Sequence, residues 1–247
     1  MLDMEFLNLA ETELDRHIYR IMRAEHVIAL FQNRENVLSQ VGNWKDKFEN
    51  FQLNIGGILN GTAFTYGMRD AFVGQCWTLE SMSEAMWGIY ASDPQTRFLR
   101  IRSTPRKLLT MLAQAHSGGF KQRCFVGKVR YLREDQLRTV VENGGRLALG
   151  GRWFAKNLLL KRRAFKHESE VRLLFFGDAN HYGADRLYRY KIDPHAMITQ
   201  IMADPHHDRS IWGGERSAIR QATGFNGSIK RSKIYDPPDW DLPIYSS

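Results

Sequence analysis

Two glutamates, Glu168 and Glu170, stand at the start of an apolar, strand-like segment, residues 166–176. Successive side chains of a strand point to opposite faces, so Glu168, Glu170 and Arg172 are predicted to share one face. Burying an ionised carboxylate is costly unless it is paired or hydrogen-bonded. Two arrangements meet that cost: ion pairs with nearby cations, or a cleft in which the carboxylates stabilise a developing positive charge. The candidate cations are Lys161, Arg162, Arg163 and Arg172.

The densest basic run of the chain, residues 153–166, comes directly before these glutamates. A basic run is most often the solvated face of a helix. Beside a cleft, it would instead bind the phosphates of a cofactor or of a nucleic acid. The candidate nucleic-acid-binding residues are Lys161, Arg162, Arg163 and Lys166.

Composition sets the class of protein. The chain has 247 residues, of which 43% are hydrophobic and 12% aromatic, and no Pro/Gly/Ser-rich linker divides it. We therefore expect one globular domain over residues 1–247. The formal charge of +8, from 35 basic and 27 acidic side chains, favours a polyanionic partner, above all nucleic acid. No long apolar span indicates a membrane, and the first residues lack the order of a signal peptide, so we expect a cytoplasmic protein.

Neither the cysteines nor the histidines predict a metal site. Cys76 and Cys124 lack metal-type spacing and are interpreted as packing residues. The segment 203–209 holds the one dense His/Asp cluster, and its spacing matches no metal motif, so we interpret it as a turn with exposed histidines.

Apolar periodicity predicts the elements that position these residues. Strands are expected at 17–22, 72–79, 98–102, 123–131, 166–176, 187–192, 198–203 and 229–234. Helices are expected at 24–33, 81–90, 104–116, 134–143 and 214–222. Ser81, with Glu84 three residues later, is the expected N-cap of the second helix, and the glycine-rich segment 54–67 is expected to be a loop over a site. This order predicts an α+β domain with a mixed or antiparallel sheet and flanking helices.

Four segments together resemble a large bacterial domain family of uncharacterised function. They are the Tyr19-Arg20 strand, the segment 44–49, Cys76-Trp77-Thr78 followed by 86–91, and Phe165-Lys166-His167-Glu168-Ser169-Glu170-Val171-Arg172-Leu173. The resemblance covers most of the chain from His17 onward. Lys45 and Lys47 depart from the family's usual acidic or proline surroundings, and Ile89 stands where histidine is common.

That family in turn resembles the ADP-ribosyltransferases, in which a split sheet clasps NAD. The resemblance implies that NAD is the co-substrate and that Glu170 is the late catalytic glutamate, with Glu168 as a second acid of a Glu-x-Glu form. It implies cofactor binding by Tyr19 and Arg20, and it makes Trp87 and Tyr90 candidates for the nicotinamide pocket. Such proteins occur in toxin–antitoxin and phage-defence loci, and one modifies messenger RNA. The implied partners are therefore nucleic acid, with RNA favoured over DNA, and an antitoxin, with or without a chaperone.

The chemistry suits a carboxylate. Nicotinamide leaves NAD as a neutral group, so no acid is needed to protonate it, whereas a carboxylate on the ribose hydroxyl stabilises an oxocarbenium-like transition state. Glu168 would then accept a proton from the attacking group. Two alternatives stay open: a non-catalytic RNA- or DNA-binding protein with structural glutamates, and a metal-dependent nuclease that uses Glu168, Glu170 and either Asp204 or His206.

Overall fold

A computed structural model describes residues 3–44, 56–59, 62–65, 71–93, 95–116, 123–144, 151–177 and 182–238. The strands in these ranges are β1 (Asp3–Leu7), β2 (Ile18–Arg23), β3 (Glu35–Gln40), β4 (Gly56–Leu59), β5 (Thr62–Thr65), β6 (Phe72–Thr78), β7 (Phe98–Ser103), β8 (Arg123–Lys128), β9 (Arg130–Leu132), β10 (Leu160–Arg162), β11 (Glu170–Phe176), β12 (Leu187–Lys191), β13 (Gln200–Ala203) and β14 (Ser228–Arg231). The helices are α1 (Ala24–Asn33), α2 (Glu84–Tyr90), α3 (Pro105–Gln114), α4 (Glu134–Gly144), α5 (Gly151–Asn157), α6 (Pro194–Met197) and α7 (Trp212–Thr223).

One large sheet carries the fold. Its strands lie in the order β1-β8-β11-β6-β2-β7-β13-β14, while β3 pairs with both β6 and β12. The β1–β8 and β13–β14 pairs are parallel and the other pairs of this sheet are antiparallel. The expected α+β fold with a mixed sheet and flanking helices is therefore confirmed.

The sheet is split between β2 and β6. These neighbouring strands share a single paired position, Tyr19 opposite Thr78, whereas β11 pairs with β6 over seven positions. The strands diverge beyond that position, because no further backbone hydrogen bonds hold them together. A gap consequently opens between two halves of the sheet, one containing β11 and the other containing β7, β13 and β14.

Strand β11 is buried on both faces, as its sequence predicts. Val171, Leu173 and Phe175 pack in the larger core with α1 and α3, while Leu174 packs in a second cluster on the other face. Removing each such side chain from water contributes roughly 1.5–3 kcal/mol. The buried residues of β11 thus hold in place the start of the strand, where the glutamates lie.

Local capping fixes the helices next to the gap. Thr104 caps α3 by accepting a hydrogen bond from the backbone N–H of Lys107, and Pro105 occupies its first turn. Ser83, and not Ser81 as predicted, caps α2 by accepting from the N–H of Met86. The predicted cap was wrong because the chain makes a further turn after β6 before the helix begins.

Two further predictions need correction. Residues 56–59 and 62–65, which the glycine-rich pattern assigned to a loop, pair as the antiparallel hairpin β4–β5; the rest of segment 54–67 lies outside the described residues. The basic run is not one helix, because it divides into α5, the short strand β10 and a 3₁₀ turn at Arg163–Glu168. None of the helices in the described ranges has the length and apolar character needed to cross a bilayer.

Candidate active site

Glu170 and Glu168 approach each other at the mouth of β11. Glu170 is the first residue of the strand and lies opposite Thr78, the paired position where the two halves of the sheet meet. Glu168 ends the preceding 3₁₀ turn, and Ser169 between them adopts a left-handed conformation with φ of 43°. The two carboxylates lie close together as predicted, but strand alternation is not the reason. The 3₁₀ turn before β11 brings Glu168 to this position.

Two cations pair with these carboxylates in the protein interior. The Lys161 ammonium contacts Glu168 Oε2 and lies 3.5 Å from Glu170 Oε1. Arg172 Nε donates to Glu170 Oε2 over 2.9 Å, and Arg172 Nη1 donates to the carbonyl of Leu158 over 2.6 Å. The four charged side chains are between 0% and 9% exposed. The ion-pair arrangement considered from the sequence is thus present, and it is buried.

The two carboxyl groups differ in proton affinity. Burial raises the pKa of Glu168, the negative charge of Glu170 raises it further, and the hydrogen bond with Lys161 offsets only part of this. Burial alone would also raise the pKa of Glu170, but Arg172 and Lys161 outweigh it and leave that pKa below the usual value. Glu170 is accordingly the ionised partner, and Glu168 is the one that takes up a proton more readily.

Backbone contacts hold this pair in place. The N–H of Glu170 donates to the Tyr131 hydroxyl over 2.8 Å, and the Thr78 hydroxyl donates to the carbonyl of Glu168 over 2.7 Å. The N–H of Leu79 donates to the carbonyl of Ser169 over 3.0 Å. The carboxylate of Glu170 is therefore fixed by neighbours from β6, β9 and β10.

A cavity of about 220 Å³ lies in the split of the sheet, and Glu170 forms part of its wall. Tyr19 and Arg20 of β2 line it from one half, and Gln75 and Thr78 of β6 line it from the other. Tyr90 of α2 and Trp44 also line it, and the guanidinium of Arg172 lies 4.5 Å from the centre of the Trp44 ring. Glu168 is not among the described lining residues and lies behind Glu170.

Arg20 joins this cavity to a second one. It lines both the Glu170 cavity and a neighbouring cavity of about 400 Å³, and Ser39 and Gln75 are also common to the two walls. Burial lowers the pKa of the Arg20 guanidinium. No ion pair or hydrogen bond joins this guanidinium to another side chain in the described part of the protein. A mostly buried cation without a counter-charge is expensive, so the site is prepared for an anion.

The structure places the other predicted residues as follows. Tyr19 is 8% exposed and its ring lies 4.5 Å beneath the Arg100 guanidinium, while Tyr90 is 38% exposed at the cavity. Trp87 is 2% exposed and packs with Ile21 and Phe98, so it is a core residue and not part of the described cavity wall. The helical period of α2 brings Trp87 near Tyr90. The indole of Trp87, however, lies on the apolar side of α2 and packs against β2 and β7.

The predicted nucleic-acid-binding run is likewise divided. Lys161 is buried against the glutamates, so it is not available to a phosphate, and Arg162 packs over the Phe165 ring with 5.4 Å between the guanidinium and the ring centre. Arg163 and Lys166 are exposed. Lys161 and Arg172 were among the predicted ion-pair partners of the glutamates, which the structure confirms, whereas the prediction that Lys161 contacts nucleic acid was wrong.

Asp204 and His206 lie apart from the glutamates. They line a different cavity, in which His206 Nδ1 is 2.8 Å from Asp204 Oδ1 and His207 contacts Glu215. His207 is largely buried, so the prediction of exposed histidines holds for His206 alone. Within the described ranges, no three His, Cys, Asp or Glu side chains come together in a way that would hold a metal ion.

Searches with this chain found matches among solved structures. No protein-family model matches it, and no curated protein does. Structures of DarT from Thermus sp. 2.9 are similar at low identity. The complex with ADP-ribosylated single-stranded DNA is 12% identical, with a TM-score of 0.38, over 89% of this chain and 95% of that one. The complex with NAD⁺ is 11% identical, with a TM-score of 0.38, over 89% and 96%. The complex with carba-NAD⁺ is 13% identical, with a TM-score of 0.37, over 91% and 98%. With similarity this low, the chemistry of this chain has to follow from its own residues.

Proposed function

We propose that this protein is an NAD-dependent ADP-ribosyltransferase that acts on nucleic acid. The proposal rests on one observation: an ionised carboxylate, Glu170, lines a cavity whose other side carries the unpaired guanidinium of Arg20. A negative group and a positive group on the two halves of a split sheet fit a ligand with a developing cation at one end and an anion in its middle. NAD has both features.

Glu170 supplies the charge that bond cleavage needs. The bond between ribose C1′ and the nicotinamide nitrogen breaks, its electron pair stays on nicotinamide, and positive charge develops on the ribose. A carboxylate that accepts a hydrogen bond from a ribose hydroxyl stabilises this charge. The attacking atom of the acceptor then forms the new bond to C1′ and loses its proton. Because its pKa is lowered, Glu170 is ready in the ionised form at neutral pH.

Arg20 places the pyrophosphate. A guanidinium binds phosphate oxygens with two parallel hydrogen bonds, and the cost of leaving Arg20 unpaired disappears when the anion is bound. We propose that the nicotinamide ribose lies on the Glu170 side and the adenosine in the larger cavity, and the position of Arg20 between the two cavities supports this. The cavities measure about 220 and 400 Å³, and together they lie in the usual range for cofactor sites, about 300–1,000 Å³.

Tyr90 and Glu168 have supporting roles in this proposal. Burial raises the pKa of Tyr90, so its hydroxyl remains a neutral donor beside the nicotinamide. Glu168 lies behind Glu170, and its raised pKa suits it to receive a proton. We propose that the proton released by the acceptor passes through Glu170 to Glu168, since the Lys161 ammonium contacts both carboxyl groups and holds them close together.

The finer expectations extend the family resemblance. We propose RNA as the preferred acceptor, and a role as a toxin of a phage-defence locus that an antitoxin restrains, with or without a chaperone. The net charge of +8 supports a polyanionic acceptor and does not distinguish RNA from DNA.

Each alternative makes a different demand on the site. A non-catalytic nucleic-acid-binding protein would need Glu170 only for its ion pairs, and it has no use for the cavity between Glu170 and Arg20. A metal-dependent nuclease would need further ligands beside the glutamates, yet Asp204 and His206 lie in another cavity and Lys161 and Arg172 already neutralise both carboxylates. The described site therefore favours the transferase.

The test is release of nicotinamide from labelled NAD. We expect Glu170→Gln to lower this rate by about 100- to 1,000-fold, the usual effect of losing one preorganised electrostatic contact. Glu13→Gln, which neutralises a carboxylate in a partly exposed ion pair with Lys128, is the matched control and should leave the rate unchanged. Equal rates in Glu170→Gln and the wild type would exclude the proposed role.

Stability has to be separated from catalysis here, because Glu170→Gln leaves Arg172 without its partner. Glu170→Asp keeps the charge but withdraws the carboxylate by one methylene group. We expect Glu170→Asp to retain the thermal unfolding temperature better than Glu170→Gln and still to lose most of the nicotinamide release. A folded Glu170→Asp protein with full activity would contradict the geometry.

A further inference from the structure

A second charged cavity lies at the edge of the sheet, where β13 and β14 meet α7. It measures about 520 Å³ and is lined by the loop before α2, by β7, β13 and β14, and by α7 with the residues around it. We call it the basic groove. Its cationic lining residues are Arg100, Arg209, Arg216, Lys230, Arg231 and Lys233.

Most of these cations are not in an ion pair, although Arg209 and Lys233 lie close enough to Asp236 to lower its pKa. Arg209, Arg216, Lys230 and Lys233 are exposed, and none of them forms an ion pair with a carboxylate in the described ranges. Asp236 is the one carboxylate among the groove's described lining residues, and Arg231 pairs with it. The groove therefore keeps a large positive potential, which favours a polyanion over a neutral or acidic small molecule.

The groove also offers apolar contacts. Trp212 lines it beside Ile229, and Met82, which is 80% exposed, lines it from the loop before α2. Trp212 is the one aromatic side chain among the groove's described lining residues, and a ring beside cations gives an unpaired base a face on which to stack. A duplex hides the faces of its bases, so this chemistry selects an unpaired strand.

The groove adjoins the Glu170 cavity. Arg100 belongs to its lining, and the Arg100 guanidinium lies 4.5 Å from the centre of the Tyr19 ring, which lines the Glu170 cavity. The same guanidinium hydrogen-bonds the carbonyl of Ser81, three residues after Thr78. Tyr19, which lines the Glu170 cavity, and Arg100, which lines the groove, thus pack against each other between the two spaces.

Strand register gives the length of this path. Glu170 lies opposite Thr78 and Thr78 opposite Tyr19, while on the same face Ile21, Arg100, Met202 and Lys230 are successive partners across β2, β7, β13 and β14. Five strand spacings of about 4.8 Å separate β11 from β14, roughly 24 Å in all. Ile21 and Arg100 are buried, Ile21 against Trp87 of α2, so an acceptor strand has to pass over α2 or the loop before it and covers at least this distance.

We propose that the basic groove binds the acceptor as a single strand of nucleic acid and leads one unpaired nucleotide to Glu170. The assignment of the groove to the acceptor rests on the proposed function, whereas binding of a single strand by the groove does not. The cavity at Glu170 is narrow, so a base has to leave any stack before its atoms come near the ribose of NAD.

The test compares two pairs of cations with the same change in charge. Arg216→Gln/Lys230→Gln neutralises the groove, and Arg163→Gln/Lys166→Gln neutralises the exposed part of the basic run before Glu168. Binding is measured by fluorescence anisotropy with oligonucleotides of about twelve nucleotides, long enough to cover such a site. The probes are single-stranded RNA, single-stranded DNA of the same sequence and the corresponding duplex, each over a series of salt concentrations.

We expect the groove pair to weaken single-strand binding by about 25-fold at about 0.1 M salt and to lower the salt slope by about 1.4, since each lost phosphate contact removes about 0.7 from that slope. The Arg163/Lys166 pair should change the affinity less than the groove pair does. Tighter binding of RNA than of DNA would show that the groove distinguishes the two sugars, and equal binding would show that it does not. Either result supports the proposal that the groove binds a single strand. Duplex binding as tight as that of the single strand, or a larger loss in the Arg163/Lys166 pair, overturns the proposal.

Nicotinamide release without acceptor separates this proposal from the proposed function. The groove pair should release nicotinamide at the wild-type rate, because neither side chain lines the NAD cavity. If the wild type releases none while the groove pair still loses single-strand binding, the transferase fails and the groove stands. If the wild type releases nicotinamide and the groove pair binds strands normally, the transferase stands and the groove fails.

Discussion

Lys161→Met removes the cation that is shared by the two glutamates, and its cost follows from burial. Lys161 and Glu168 are 7% and 9% exposed in their side chains, so the substitution leaves a carboxylate in the interior without its nearest counter-charge. Breaking a buried pair in this way costs about 3–5 kcal/mol of the free energy of unfolding near neutral pH. Lys128→Met, which breaks a pair that is 40% and 27% exposed, should cost at most about 1 kcal/mol.

The loss of unfolding free energy in Lys161→Met should become larger as the pH rises. Burial already raises the pKa of Glu168, and loss of Lys161 raises it further. A pKa that is higher in the folded than in the unfolded state means that the folded protein binds more protons between the two values. The free energy of unfolding of Lys161→Met should therefore fall as the pH rises through that window, by at most about 1.4 kcal/mol per pH unit for this group. Below the unfolded pKa the deficit should be smallest.

Urea unfolding over a series of pH values measures this. The double variant Lys161→Met/Glu168→Gln removes both charges and should recover much of the lost stability near neutral pH. A deficit that is the same at acidic and neutral pH, or a double variant as unstable as Lys161→Met alone, would refute the reasoning that the ion pair and not packing sets the cost.

Two further predictions concern the dinucleotide. Arg20→Met should raise the dissociation constant of NAD by about 10- to 100-fold, the equivalent of about 1.5–3 kcal/mol for a charged hydrogen bond; titration calorimetry measures it, and unchanged affinity would remove Arg20 from the pyrophosphate site. Trp87→Phe should lower the thermal unfolding temperature because the indole is a core side chain, yet leave the KM for NAD unchanged. A higher KM with an unchanged unfolding temperature would restore Trp87 to the nicotinamide pocket.

The sequence predicted the local elements better than their arrangement. Apolar periodicity predicted strands β2, β6, β7, β11 and β13 and helices α1 and α3. It does so because the alternation of apolar and polar residues along a strand or helix reflects which of its faces is buried. The strand order does not follow in this way. The first strand lies parallel to β8, about 120 residues away, and no local pattern encodes such a pairing.

The site shows the same division. The glutamates could be found because acids directly before an apolar run need a counter-charge if they are buried. Arg172, inside that run, is one of the two cations that provide it. Lys161 was misplaced because the charge density of its neighbours was considered without the three leucines that precede it. Leu158–Leu160 are all buried, and a lysine that directly follows such an apolar run needs an acidic partner in the interior.

The single paired position between β2 and β6 explains why the two charged groups stay apart without a ligand. Arg20 belongs to one half of the sheet and Glu170 to the other. One core cluster contains residues of both halves and holds them in place, so neither group can move to neutralise the other. Arg172 and Lys161 satisfy Glu170 from its own half. Arg20, by contrast, forms no ion pair in the described ranges, and Glu35, the acid that lines the larger cavity with it, pairs with Lys191. In the proposed function, the dianionic pyrophosphate of NAD supplies the counter-charge for Arg20 and the dinucleotide spans the split. Binding should therefore stabilise the folded chain by RT ln(1 + [L]/Kd), and much of this increase should be absent in Arg20→Met.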